Sequence, residues 1–185
     1  MSRAKKLVLI GVLISLALAL HAAERLIPLP MVVPGVKLGL ANIVTLVAVF
    51  ILSLPELALL VLIRTTLSSM FGGGLSGFLF SLSGGMLSML VMYFLCHRFQ
   101  RSLSLPAISV VGALFHNIGQ LLVASFIVET LGIFFYLPLL IASAGATGLA
   151  VGFTSLLLVR ALDNARFIRV APEMRVLFET GSEAR

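Results

Sequence analysis

The charged residues of this chain lie between or beyond long apolar blocks, and this spacing constrains the fold more than any other feature. Of the 185 residues, 60% are hydrophobic and only 11% are charged. A helix needs about 20 apolar residues to cross a hydrocarbon layer of roughly 30 Å, and the chain supplies such blocks repeatedly. The pattern predicts an all-α integral membrane protein.

Apolar continuity and helix-breaking residues divide the chain into six predicted transmembrane helices. The predicted spans are Leu7–Glu24, Leu38–Ser53, Leu57–Phe71, Gly77–Cys96, Pro106–Val128 and Phe134–Leu162. Residues 1–163 then form a single six-helix transmembrane domain, and residues 164–185 form a basic cytoplasmic tail. With both termini in the cytoplasm, only Arg25, Lys37 and Arg64 of the thirteen Lys and Arg residues lie away from the inner side. This positive-inside bias favours that orientation.

Composition excludes several classes of function. The basic residues that give the net charge of +6 flank apolar blocks, which indicates contact with anionic lipid and not with nucleic acid. Asp163 is the only aspartate, so the chain cannot build the aspartate clusters that hold magnesium against diphosphate in a prenyl synthase. The phosphate-cradling GxxxxGK[ST] loop is also missing. We therefore expect no enzyme, no cofactor and no bound metal.

Polar residues inside the predicted spans are the candidates for function, because such groups are costly in lipid unless they meet partners, a cavity or a ligand. Arg64 lies near the middle of the third span and must find an acceptor in the bundle interior. His116 and Gln120 lie one turn apart on the fifth span, with Asn117 beside them. Lys37 and Asn42 lie at the start of the second span. The predicted ligand-binding residues are Lys37, Asn42, Arg64, His116, Asn117 and Gln120.

Each of these predictions has a structural alternative. The polar group around His116 would serve equally well as a hydrogen-bond network between helices. Arg64 would pair with Glu24 or Glu129 if it needs only a counter-ion, and Lys37 would extend to the interface. The apolar, proline-containing connector Leu26–Val36 would be either a lid over a polar cavity or a loop resting on the membrane.

Small residues recur at every fourth position of the first span, at Gly11, Ser15, Ala19 and Ala23. This spacing places them on one stripe of the helix and allows another backbone to approach closely. The stripe would pack inside the bundle or dock a separate membrane subunit, and the sequence favours neither.

Three stretches carry a family resemblance: Pro34–Asn42 (PGVKLGLAN), Ser81–Gly85 (SLSGG) with the following Ser88 and Met89, and Gly112–Gln120 (GALFHNIGQ). They resemble the small membrane family labelled heptaprenyl diphosphate synthase component I, also catalogued as the Gx transporter family. That family in turn is similar to the substrate-binding S components of energy-coupling factor (ECF) transporters. Those are six-helix proteins that capture solutes beneath a lid and dock a coupling subunit through a small-residue stripe on the first helix.

The resemblance implies two functions. The leading expectation is an S-component-like subunit of a small-molecule importer in the inner membrane of a bacterium, with an ECF-type coupling subunit and ATPases as partners. Its ligand would be anionic or amphiphilic, with isoprenoid and quinone precursors as candidates, and the small-residue stripe would dock the coupling subunit. The alternative is a non-catalytic accessory subunit of heptaprenyl diphosphate synthesis, beside a soluble polyprenyl synthase.

Overall fold

The computed structural model describes residues 3–26, 39–71, 74–168 and 170–178, and most of these residues are helical. The α-helices are α1 (Arg3–Leu26), α2 (Leu40–Ala48), α3 (Leu54–Met70), α4 (Gly74–Arg98), α5 (Leu105–Val128), α6 (Leu137–Asn164) and α7 (Pro172–Arg175), and a 3₁₀ helix, Leu131–Tyr136, leads into α6. Four helical stretches are long and apolar enough to cross a membrane: Ala4–Glu24, Gly74–Arg98, Leu105–Val128 and Leu131–Asn164. The chain is therefore a multi-pass membrane protein.

The surface of the bundle is apolar, whereas several polar side chains are buried. Leu7 is 68% exposed and Phe126 is 84% exposed. Thr45 and Arg64, in contrast, are almost completely buried. This arrangement suits a protein whose outer surface contacts lipid, because apolar side chains lose nothing by facing hydrocarbon.

Helix α2 is shorter than the predicted second span. It has 9 residues, and the chain continues from Val49 to Leu52 in turns. At a rise of 1.5 Å per residue such a helix measures about 14 Å. Every residue from Ala41 to Ala48 is buried, as expected for a helix that is apolar on nearly all sides. Helix α3 has 17 residues, so the six-span topology and the orientation of the termini remain predictions.

The first and third helices begin at the same end of the bundle. The ammonium group of Lys6 lies 2.6 Å from a carboxylate oxygen of Glu56. The other carboxylate oxygen accepts hydrogen bonds from the backbone N–H and the hydroxyl of Ser53, at 2.9 and 2.7 Å, which caps the start of α3. Because α1 and α3 run in parallel, α2 must return between them.

The carboxyl group of Glu56, in the turn before the predicted third span, gives the fold a dependence on pH. Lys6, followed by Ser53, lowers its pKa from 4.5 to about 2. Since the folded-state pKa lies below the ordinary value, the ionised carboxylate stabilises the fold above pH 4.5, and this contribution is lost as the pH falls toward 2. We expect Glu56→Gln to lower the thermal midpoint at pH 7, and the difference from the native protein to narrow at pH 3. Glu129→Gln, at an exposed position, is the control. An equal difference at both pH values would contradict the prediction.

Glycines allow α5 to approach its two neighbours closely. A methyl group added at Gly119 would lie 2.8 Å from the carbonyl oxygen of Ser83 on α4. One added at Gly148 would lie 2.6 Å from the Cα of Val110, across the contact between α5 and α6. Gly148 therefore lets α6 pack closely against α5.

The α4–α5 contact yields a stability prediction. Gly119→Ala should destabilise the protein by about 1–3 kcal/mol, because a backbone atom on α4 blocks the added methyl group. Gly11→Ala is the matched control, since nothing lies within 4 Å of a methyl group added there. Thermal unfolding in detergent compares the two variants, and equal midpoints would contradict the close contact.

The segment that follows α6 folds back onto the bundle. Its apolar side chains join the same core as α2; they are Ile168, Val170, Met174, Leu177 and Phe178. The Phe178 ring packs edge-on against Phe50, with ring centroids 5.9 Å apart. Arg160 donates a hydrogen bond from Nε to the carbonyl oxygen of Phe178. The segment thus covers the end of the bundle at which α2 runs out into turns.

Candidate functional site

The site is built around the junction between the end of α1 and the start of α2. Gly39 precedes α2 with φ 74°, a left-handed conformation that favours glycine. Its N–H donates a hydrogen bond of 2.7 Å to a carboxylate oxygen of Glu24, near the end of α1. Glu24 is buried, and this bond fixes the start of α2, and with it Asn42, against α1.

A cavity of about 30 Å³ opens beside this junction. Four helices besides α2 contribute to its walls, and most of the residues that line it are polar. The lining residues are His21, Glu24, Gly39, Ala41, Asn42, Arg64, Thr65, Ser68, Ser81 and His116. We refer to it as the first cavity. A space of this size holds one or two water molecules.

Arg64 is the charged group that dominates the first cavity. It is 5% exposed, and its Nε–H has no hydrogen-bond partner within the described ranges. Glu24 acts on it electrostatically, but no carboxylate of the described residues lies within the 4.0 Å of an ion pair. Burying a charge without a close partner costs several kcal/mol. The guanidinium therefore needs water or an anion from the cavity.

Gly85 makes room for this guanidinium. A methyl group added at Gly85 would lie 3.2 Å from Nη2 of Arg64 and 3.1 Å from a side-chain carbon of Val61. The neighbouring Gly84 faces α5, where an added methyl group would lie 2.8 Å from the carbonyl oxygen of His116. The two glycines of the SLSGG stretch thus have different roles, one toward Arg64 and one toward α5.

A second cavity, of about 20 Å³, lies between α2, α4, α5 and α6. It shares Gly39, Asn42 and His116 with the first cavity. Its other lining residues are Ser88, Met92, Ser109, Ala113, Asn117, Thr147 and Val151. Asn42 and His116 therefore stand between two polar spaces inside the bundle.

The structure brings four of the six predicted ligand-binding residues to these cavities. Asn42, Arg64 and His116 line the first, and Asn117 lines the second. Asn117 also donates a hydrogen bond of 3.1 Å to the carbonyl oxygen of Leu140, which ties α5 to α6. Gln120 lines neither of these cavities; its Cγ lies beside Gly84. Lys37 and nearly all of the predicted lid connector fall outside the described residues.

Sequence reasoning missed several lining residues, because small hydroxyl side chains are common in membrane helices. Thr65 and Ser68 were missed although they lie one and four residues after Arg64. Ser81 and Ser88 belong to a stretch that carried the family resemblance, but no role was predicted for them. Ser109 had no signal in the sequence at all.

The small-residue stripe of α1 faces away from the bundle. Gly11, Ser15, Ala19 and Ala23 are all exposed. The Ser15 hydroxyl donates to the carbonyl oxygen of Gly11 at 3.0 Å and so needs no other partner. Leu13, Ile14 and Ala17 form the buried face instead. The stripe therefore does not serve packing between the described helices.

Metal ligands do not gather in the part of the chain that the structure describes, since no three His, Cys, Asp or Glu side chains come together there. Fold and site together define a multi-pass helical membrane protein whose bundle encloses a small cavity lined by Arg64 and Glu24.

The family follows from sequence comparison. A family model described as heptaprenyl diphosphate synthase component I matches residues 13–158, and the chain belongs to that family. The resemblance carried by the three motifs is thereby confirmed. Neither the curated proteins nor the solved structures contain a match to the chain.

Proposed function

We propose that the protein is a non-catalytic membrane subunit of polyprenyl diphosphate synthesis in a bacterial cell membrane, and that its first cavity binds the anionic head of a small molecule. Membership of the component I family supports the first part. The single aspartate, Asp163, supports a non-catalytic role, because magnesium-dependent prenyl transfer needs several such ligands. The buried guanidinium of Arg64 carries the second part.

The anion proposal rests on the balance of charge in the first cavity. Glu24 contributes one carboxylate, and one of its oxygens already accepts the N–H of Gly39. Arg64 keeps an unpartnered Nε–H inside the bundle, as far as the described residues go. A planar guanidinium binds carboxylate and phosphate oxygens in a forked geometry, and the surrounding hydroxyl, amide and imidazole groups would complete the coordination of such a head.

Arg64→Gln tests this binding role. With the protein in lipid nanodiscs, we expect inorganic diphosphate or farnesyl diphosphate to raise the thermal midpoint of the native protein, since a ligand stabilises the state that binds it. The variant should bind at least about thirtyfold more weakly, as expected when one member of a buried charge pair is removed.

Arg101→Gln, at an exposed position between α4 and α5, is the control and should bind like the native protein. The unliganded Arg64→Gln protein should be as stable as the native protein or more so, because a buried charge without a close partner has been removed. Equal affinity of the native protein and Arg64→Gln for both probes would contradict the proposal.

The partner proposal is tested by purifying the tagged protein from its native membrane under mild detergent conditions. We expect a soluble polyprenyl diphosphate synthase to be enriched, measured by quantitative mass spectrometry against a tagged, unrelated membrane protein. Enrichment of ATPase subunits without any prenyl synthase would contradict the accessory role and favour the importer.

A second candidate function, the substrate-binding subunit of an importer, is favoured by the exposed stripe on α1. Small residues on a lipid-facing surface provide little contact with lipid but let a second helix approach closely. The four stripe residues offer such a surface along most of the length of α1. A membrane-embedded coupling subunit would dock there, while the same two cavities would hold the transported solute.

Bulky residues on the stripe separate the two functions. If the importer is correct, Ala19→Leu combined with Ala23→Leu should abolish copurification of a membrane-embedded coupling subunit, because the added side chains keep its helix away. Val8→Leu and Val12→Leu, at exposed positions beside the stripe, form the control. Unchanged recovery of that subunit with the stripe variant would contradict docking at this face.

A further inference from the structure

Two buried serines that line the second cavity have hydroxyl groups without a hydrogen-bond partner among the described residues. Ser88 is 1% exposed and Ser109 is 2% exposed, and neither Oγ has a hydrogen-bond partner within the described ranges. A serine or threonine inside a helix usually donates to a carbonyl oxygen one turn earlier. Thr65 and Thr147 do so here, at 2.8 and 2.9 Å. Ser88 and Ser109 do not form this bond, and leaving a buried hydroxyl group without a hydrogen-bond partner is unfavourable.

The hydroxyl groups line a space that adjoins the first cavity. Gly39, Asn42 and His116 line both cavities, so these residues separate a molecule held at Arg64 from the second space. Among the described residues, no Lys, Arg, Asp or Glu lines the second cavity. Its polar groups are hydroxyl, amide and imidazole, which suit uncharged oxygen or nitrogen atoms of a ligand.

We infer that Ser88 and Ser109 form a second binding subsite, which accepts an uncharged hydrogen-bonding part of the molecule whose anionic group lies at Arg64. The inference rests on the proposed anion pocket and narrows the ligand class. The part next to the anion carries hydroxyl, carbonyl or amide groups, or further oxygens of a diphosphate. A hydrocarbon chain would leave both hydroxyls unsatisfied and therefore does not enter this subsite.

Gly112 gives this subsite its space. A methyl group added at Gly112 would lie 2.6 Å from Sδ of Met92 and 3.3 Å from Oγ of Ser88. The glycine therefore lets Met92 and Ser88 face α5 without a clash. It lies in the GALFHNIGQ stretch, Ser88 follows the SLSGG stretch, and Gly39 and Asn42 belong to the PGVKLGLAN stretch, so residues of all three family motifs meet at the second cavity.

Ser155 supplies a matched comparison. It is 0% exposed, and its hydroxyl also lacks a partner among the described residues, yet it lines neither cavity. If these hydroxyl groups lack partners only because they are buried, cysteines at all three positions should be equally inaccessible. A ligand subsite requires Ser88 and Ser109 to differ from Ser155.

Cysteine accessibility tests the subsite without knowledge of the natural ligand. Cys96, which is buried, is first replaced by Ala, and single cysteines are then placed at positions 68, 88, 109 and 155 by Ser→Cys substitution. The folded proteins in nanodiscs are treated with the anionic reagent 2-sulfonatoethyl methanethiosulfonate and with its cationic trimethylammonium analogue. Mass spectrometry measures both rates, normalised to those of a free thiol. The reagents are larger than a space of about 20 Å³, so they can react only if the second cavity opens. A ligand would need the same opening, and the labelling rate therefore measures it.

We expect Ser68→Cys, Ser88→Cys and Ser109→Cys to react, and Ser155→Cys to react at least about tenfold more slowly, as a thiol buried away from water does. The anionic reagent should be favoured at positions 88 and 109. Adding Arg64→Gln should reduce that preference by about tenfold, because the guanidinium attracts anions to the shared space.

The outcomes separate the subsite from the anion pocket. Labelling at position 68 with none at 88 or 109 would contradict the proposed subsite but not the proposed anion pocket. Labelling at 155 as fast as at 88 and 109 also overturns it, as does a charge preference that Arg64→Gln leaves unchanged. Failure of the anion pocket itself would show separately, in the absence of diphosphate binding by the native protein.

Discussion

A guanidinium group enclosed in an apolar helix bundle needs hydrogen-bond acceptors or a counter-charge, and the interior of this protein is organised around that requirement. Arg64 lies on α3, the helix whose start is fixed to α1 by the Lys6–Glu56 ion pair. Gly85 leaves the space that its head group occupies. Among the described residues, Glu24 is the carboxylate that acts on it electrostatically, but Glu24 is also bonded to the backbone at Gly39. What remains unsatisfied faces a cavity, which is the basis of the proposed anion site.

The packing of the helices follows from the same need to keep polar groups inside. Helix α2 is buried from Ala41 to Ala48, so its two polar side chains, Asn42 and Thr45, face protein and not lipid. Close glycine contacts draw α4, α5 and α6 together and set His116 between the two cavities. The folded-back C-terminal segment covers the other end of the short α2. The result is an apolar surface around a mostly apolar core that encloses a cluster of polar groups, and the small residues of the α1 stripe are exposed on that surface.

The sequence predicted the charged and amide residues that line the cavities better than it predicted the serines there or the ends of the helices. A charged, amide or imidazole side chain is conspicuous in an apolar block, so the sequence alone indicated Asn42, Arg64, His116 and Asn117 as candidates. All four line the cavities. Serines such as Ser88 and Ser109 are not conspicuous, because most hydroxyls in helices bond to their own backbone. The sequence did not predict the end of α2 at Ala48, because the apolar run continues through Val49–Leu52. The sequence also did not predict that residues 168–178 pack onto the core, because charged residues are interspersed among the apolar ones.

The surroundings of the Arg64 guanidinium are the most direct test of this account. A high-resolution electron cryo-microscopy map of the protein in lipid nanodiscs would show them. We expect an ordered water molecule or an anion about 3 Å from the guanidinium, inside a space bordered by Asn42 and His116. A map in which a protein carboxylate bonds directly to the guanidinium, with side chains filling the remaining space, would contradict it.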